Sequence, residues 1–222
     1  MDERYIRNIP ALTPDEQQLF KTKHVLVAGC GGLGGYILEF LLRLGVGKIT
    51  AVDSDVFDIS NLNRQLLAEV PLLGTQKTDA AAARAAAVNP DVVFHTVCTR
   101  ISESNASTLI ADCDVVIDAL DNIEGRKYLF AACSKAGIPF IHGAIGGWNV
   151  QAAICMPKDS ILDTLYPSGV QLTTPSVLSF TPALCAALQV SLCTQLLCGK
   201  PVETGKLYLY DLLHMEGSSF TL

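Results

Sequence analysis

The chain has 222 residues, 50% of them hydrophobic and 17% charged, with a formal net charge of −6 and a pI near 5.1. That length and apolar content suit one large domain with a sizeable core. The acidic balance argues against nucleic acid as the main partner, because a phosphate backbone calls for a basic face.

Residues 1–23 are polar, mixed in charge and unlike a secretory leader, and they form an N-terminal helical arm in this reading. Residues 24–28 (HVLVA) then predict a first strand, GCGGLGG a glycine turn, and YILEFLLRLG a helix. A second strand follows at 48–53 and an alanine-rich helix at 75–88, stopped by Asn89-Pro90. Further strands are predicted at 91–97, 114–119 and 139–143, with helical stretches near 104–111 and 124–136. This alternation implies an α/β fold with a doubly wound, mostly parallel, Rossmann-like sheet over 24–147. Residues 148–222 change pattern. A half-exposed strand at 149–156, a long loop at 157–176, a helix near 177–198 and extended pieces from 206 onward form a C-terminal antiparallel extension of the same single domain. The apolar run 178–198 is broken by Pro182, Gln189 and Gln195, so a buried or interface helix is expected there, with no membrane contact.

Eight cysteines are scattered without a C-x-x-C pair, most of them in apolar segments. They read as small core residues in a reducing cytoplasm, with neither disulfides nor zinc. His24, His95, His142 and His214 pair with no motif and read as structural.

Gly29, Gly31, Gly32 and Gly34 form a G-x-G-x-x-G turn between strand and helix, and Asp53 stands 19 residues past the last glycine. Such a turn lets phosphate approach the backbone at a helix N-terminus, while the acid accepts bonds from ribose hydroxyls. The pattern does not separate NAD from ATP. The polar cluster that follows does. Arg64, and Lys77 at a helix start, supply positive charge that hydride transfer does not need and phosphoryl chemistry does. Lys77 opposes the helix dipole, which a phosphate ligand would exploit; taken singly, a lone lysine also reads as a solvated face. Asp121 lies past the fourth strand, where it could hold Mg²⁺ or cap the next helix.

GCGGLG (29–34), D-x-D (53–55), SNLNRQ (60–65), G-x-x-K (74–77), N-P (89–90) and D-x-x-DN (118–122) occur in one order, with RYIR at 4–7 before them. Together they resemble the ThiF/MoeB/HesA family of adenylyltransferases, relatives of the ubiquitin-activating enzymes, over about residues 4–215. The resemblance implies an enzyme that uses ATP and Mg²⁺ to adenylate the C-terminal Gly-Gly carboxylate of a ubiquitin-like sulfur carrier protein, of the ThiS or MoaD type, releasing pyrophosphate. It implies Asp53 at the ribose, with Asp55 in the nucleotide set. Asn61, Arg64 and Lys77 fall at the phosphates with Gln65 beside them, and Asp121 at Mg²⁺. It also implies that Arg7 reaches into the partner protomer's site, hence a homodimer. The chemistry agrees with the histidines, because a carboxylate nucleophile is already ionised at neutral pH and needs no general base.

The sequence departs from the family in two places. Ile161 and Thr164 stand where many members place the first zinc-binding cysteine pair, and the loop before the last helix lacks the reactive cysteine some members carry. No zinc and no covalent acyl intermediate on a cysteine are expected. The short tail leans toward a thiamine-type enzyme over a molybdenum-cofactor one. Trp148, Val170 and Leu172 are candidates for carrier contact or a dimer seam, with a core role the alternative. Two other readings are an NAD-dependent oxidoreductase, which would leave Arg64, Lys77 and Asp121 without a shared purpose, and a relative that binds nucleotide or partner without chemistry.

Overall fold

Fully apolar β-branched runs build strands that are buried on both faces, and that dictates the architecture. A computed structural model describes residues 2–170 and 176–222. The arm comprises a 3-10 turn at Glu3–Asn8 and α1 (Pro14–Phe20), which opens on a Thr13/Glu16 capping box. Then come β1 (His24–Ala28), α2 (Gly32–Leu44), β2 (Lys48–Asp53), α3 (Lys77–Val88), β3 (Val93–Cys98), α4 (Ala106–Leu109), β4 (Val115–Asp118), α5 (Ile123–Ala136) and β5 (Phe140–Gly146). The extension carries β6 (Asn149–Cys155), α6 (Ile161–Leu165), α7 (Phe180–Leu197), β7 (Lys206–Asp211) and β8 (Glu216–Thr221).

The eight strands form one sheet in the order β3-β2-β1-β4-β5-β6-β7-β8. The first five are parallel, and β6, β7 and β8 join antiparallel. Alternation along β1 splits the core. Val25 and Val27 face a cluster with α2 and α7, while Leu26 and Ala28 face one with α5 and α6. Chain order reverses between β1 and β4, so a crevice opens at the carboxyl ends of those strands.

The predicted elements hold to within a few residues, with two larger differences. β5 runs three residues beyond its predicted end, because β6 turns back at Gly146↔Asn149 and pairs along its whole length. Residues 157–176 were expected as loop throughout, yet α6 forms there: its five residues are too few to show a helical period, and burial of Ile161 and Leu162 stabilises it. Leu172 lies outside the described residues; Val170 and Trp148 are exposed, and Trp148 packs on Phe180 with ring centroids 5.4 Å apart. Helix α7 is long and apolar enough by composition to cross a membrane. It instead packs against α2, β5 and β6, and Gln189 on it donates to Asp118 O at 2.7 Å and Ile141 O at 3.3 Å, as a core helix would.

Asn89 does more than stop α3. It is buried at 3% exposure, and its amide donates to Tyr5 Oη at 2.7 Å and to Leu42 O at 2.8 Å, while accepting from Arg4 Nη1 at 2.6 Å. One side chain thereby ties the arm to α2 and α3. Asn89→Ala is expected to destabilise the fold by about 2 kcal/mol, from three lost side-chain hydrogen bonds, with earlier proteolysis of the arm. Urea titration and timed digestion check this.

Candidate active site

Glycine packing sets the floor of the crevice. Gly29 has φ +103°, and a Cβ there would sit 2.6 Å from Ala119 O. A Cβ on Gly34 would fall 1.8 Å from Gly29 O, so only glycine lets α2 start this close to the end of β1. The N-cap of α2, Gly31, has no side chain to cap the first-turn N–H groups. A helix terminus of this kind binds anions.

Asp53 holds that turn. Its Oδ2 accepts from Cys30 N at 2.6 Å and its Oδ1 from Asp55 N at 2.8 Å. Each oxygen retains acceptor capacity for a further donor such as a ribose hydroxyl. The Asp53 role in shaping the loop was not foreseen from the sequence.

After β2 the chain zips against the lead-in to α3. Phe57 N donates to Thr75 O, Gly74 N to Phe57 O and Lys77 N to Asp55 O, at 2.9–3.0 Å. This places Lys77 at the first position of α3, where its side chain is 8% exposed and its Nζ lies 3.0 Å from Asp55 Oδ2. The SNLNRQ block coils into a 3-10 turn at Ile59–Asn61. Its residues divide the labour. Asn61 is buried, and its Oδ1 accepts from Asp58 N at 3.1 Å, completing a capping box with Asp58. Asn63 Nδ2 donates to Val177 O at 3.1 Å, pinning the block to the approach to α7. Arg64 Nη1 donates to Ser60 O and to Asn63 Oδ1, both at 2.8 Å, which holds the guanidinium in one orientation. Gln65 is 7% exposed, and its Oε1 has no hydrogen-bond partner.

These elements enclose a cleft of about 720 Å³. Of the residues expected at a nucleotide, Gly29, Gly31, Gly32, Asp53, Asp55, Arg64, Gln65, Lys77 and Asp121 all line it. Gly34 and Asn61 do not: the first packs beneath the loop and the second is used up in its turn. Arg7 also lies outside, on the exposed face of the arm. Asp121 is exposed at the rim with Asn122 Nδ2 3.5 Å away, and it is Asn122 that caps α5, accepting from Gly125 N at 2.8 Å. Among the described residues no cluster of three or more His, Cys, Asp or Glu forms a metal cage. A single rim carboxylate suits Mg²⁺, which keeps its waters and is usually held by one or two carboxylates plus substrate phosphates.

Sequence reasoning missed the wall opposite the cations. Arg126 and Tyr166 line the cleft there, backed by Asp118 and His142. Asp118 is fully buried. Burial works to raise its carboxyl, but the Arg126 guanidinium and the His142 N–H outweigh that and keep it below the usual range. Burial pushes His142 down, so it is neutral, donating from Nδ1 to Asp118 Oδ2 at 2.9 Å. Its Nε2 is then the acceptor facing Gln151 Nε2 at 3.1 Å and Tyr166 Oη at 3.4 Å. Burial raises the Cys155 and Cys185 thiols, so neither is an activated nucleophile.

The sequence profile of the ThiF family matches residues 4–222. A SAMP-activating enzyme E1 of Haloferax volcanii is 34% identical, over 96% of this chain and 82% of its own length. A sulfur carrier protein adenylyltransferase of Thermus thermophilus is 31% identical, over 99% of this chain and 87% of its own. The crystal structure of PaaA superposes with a TM-score of 0.83 at 20% identity, covering 99% of this chain and 82% of that one, which speaks to the fold.

The glycine geometry gives a paired test. Gly34→Ala must push apart α2 and the β1 turn and is expected to destabilise by about 3 kcal/mol. At Gly32 a Cβ would meet Pro182 Cγ at 3.6 Å, an ordinary contact. Gly32→Ala should therefore change stability by less than about 1 kcal/mol. Chemical denaturation of both variants measures the contrast.

Proposed function

The chain belongs to the ThiF family, and from that footing we propose that it adenylates the C-terminal Gly-Gly carboxylate of a ubiquitin-like sulfur carrier protein with ATP. The observation that carries this reading is the convergence of Arg64 and Lys77 on a glycine-turn cleft whose far edge bears Asp121. A helix N-terminus serves either nucleotide, but the two cations beside it suit a triphosphate, and hydride transfer has no use for them. The name of the 31% identical Thermus relative points the same way.

A carboxylate oxygen of the carrier tail attacks the α-phosphorus of ATP. The bond from that phosphorus to the bridging oxygen breaks, and pyrophosphate departs with the electron pair. An acyl-adenylate remains. No proton moves, which fits a site whose one buried histidine is neutral and turned toward Asp118. What opposes the step is repulsion between anions. Arg64, fixed by Ser60 and Asn63, would meet the phosphates without reorganising. Lys77 would exchange Asp55 for phosphate. Asp53 would accept from the ribose while holding the loop, and Gln65, beside the phosphates, would donate to them from Nε2, leaving its unpartnered Oε1 to accept from a hydroxyl or water. Asp121 would hold Mg²⁺, and the ion, when bound, would further neutralise phosphate charge.

Arg7 is directed outward on a well-anchored arm, in keeping with a role across a homodimer in the partner protomer's site. A reducing cytoplasm is the proposed setting, in keeping with eight free thiols. Carriers of the thiamine and molybdenum cofactor pathways both fit.

ATP–pyrophosphate exchange with purified ThiS-type and MoaD-type carriers ending in Gly-Gly is expected to be stimulated by at least one of them; exchange with neither overturns the proposal. Arg64→Ala should lower exchange about a hundredfold or more while ATP affinity changes little. Parallel loss of binding would reassign Arg64 to a structural role.

A further inference from the structure

Asp121 has no strong hydrogen bond of its own; its nearest side-chain partner, Asn122 Nδ2, is 3.5 Å away. The backbone beside it is held tightly instead. Leu120 N donates to Asp118 Oδ1 at 3.0 Å, and Leu120 O accepts from Arg126 Nη2 at 2.6 Å. The same guanidinium donates through Nε to Asp118 Oδ2 at 2.6 Å. Both polar groups of the Leu120 backbone are thus bound by one ion pair. That pair cannot drift: Arg126 is 2% exposed and Asp118 fully buried, His142 holds Asp118 Oδ2, and Tyr166 lies over the guanidinium at 4.8 Å. Arg126 Nη2 also reaches Gly143 O in the middle of β5 at 3.4 Å, linking the carboxyl end of β4 to its neighbour strand. Replacing the guanidinium by an ammonium keeps the charge but loses the fork that spans carboxylate and carbonyl.

We propose that Arg126 is a positioning residue for adenylation, acting by clamping the Leu120 backbone so that the Asp121 carboxylate faces the nucleotide phosphates and their cation. This rests on the adenylation reading above and on Asp121 as the cation's ligand.

Arg126→Lys in the full chain tests it through a cycle with Asp121→Asn. Expected for Arg126→Lys are a fall in kcat for pyrophosphate exchange of about tenfold or more and a KM for ATP within about twofold of the parent. Calorimetry of ATP binding with and without Mg²⁺, which needs no turnover, should show that the metal-linked gain in affinity shrinks. Added to Asp121→Asn, Arg126→Lys should cause no further loss in either measurement, because residues acting as a unit are not additive. Multiplicative losses would mean that Arg126 acts elsewhere, and a parent-like Arg126→Lys would overturn the clamp directly. If Arg126→Lys fails to fold, the neutral pair Asp118→Asn/Arg126→Gln removes the clamp without stranding a buried charge, and the same two cycles apply. A parent protein that binds ATP with Mg²⁺ but exchanges pyrophosphate with no carrier counts against adenylation alone, and the calorimetric cycle still decides the clamp.

Discussion

A fully buried carboxylate at the end of the central strand is the constraint around which the rest is arranged. Asp118 sits at the carboxyl end of β4, beside the point where strand order reverses, with no access to solvent. A charge there is tolerable only if it is paired and hydrogen-bonded. The partners come from separate parts of the chain: Arg126 from α5, His142 from β5 and, for the main-chain oxygen, Gln189 from α7. Satisfying one residue therefore fixes the relative placement of two strands and two helices. Gly143 belongs to the same solution, since a Cβ there would lie 2.2 Å from Gln189 Cδ. The antiparallel extension enters through Gln151, whose amide faces the remaining nitrogen of His142.

The opposite wall follows another logic. There the charged groups are left partly unspent. Lys77 is buried but its partner carboxylate, Asp55, is 61% exposed, and solvent around that carboxylate screens and weakens the pair. Arg64 is held by neutral oxygens of Ser60 and Asn63. A triphosphate arriving in the cleft would find one cation opposed by no carboxylate among the described residues and one opposed by a weakly held one. Rigid scaffolding on the Asp118 side and available charge on the Arg64 side together make a preorganised anion site.

How far this could be read from the sequence depends on how local each cause is. Strands β1 and β2 match their predicted bounds because both are continuous apolar runs ended by a glycine turn or an aspartate. The roles within SNLNRQ were less legible. Asn61, Asn63, Arg64 and Gln65 are all polar and all plausible ligands, yet only a folded turn decides which amides close on the backbone and which side chains face the cleft. Arg126 was missed for a related reason. In sequence it is one arginine in an amphipathic helix, and its partners Asp118 and Gly143 are 8 and 17 residues away on two different strands. Asn89 read correctly as the end of α3, but its bond to Tyr5, 84 residues earlier, is invisible to any local pattern.

The same distinction explains why the glycine turn and Asp53 cannot by themselves name the chemistry. In this fold Asp53 is already engaged by two backbone N–H groups, so its presence is partly a requirement of the turn and would be needed whatever nucleotide were bound. Information about the reaction has to come from groups that the fold does not consume. Gln65 Oε1, buried without a partner, and Arg64, anchored but without a carboxylate, are groups of that kind. A buried polar atom left unpaired costs about 1–3 kcal/mol, a burden retained most readily where a ligand relieves it. The discriminating residues are therefore those whose bonding is incomplete in the free protein: Arg64 and Gln65 at the end of the stretch 53–65, and Lys77 and Asp121 beyond it.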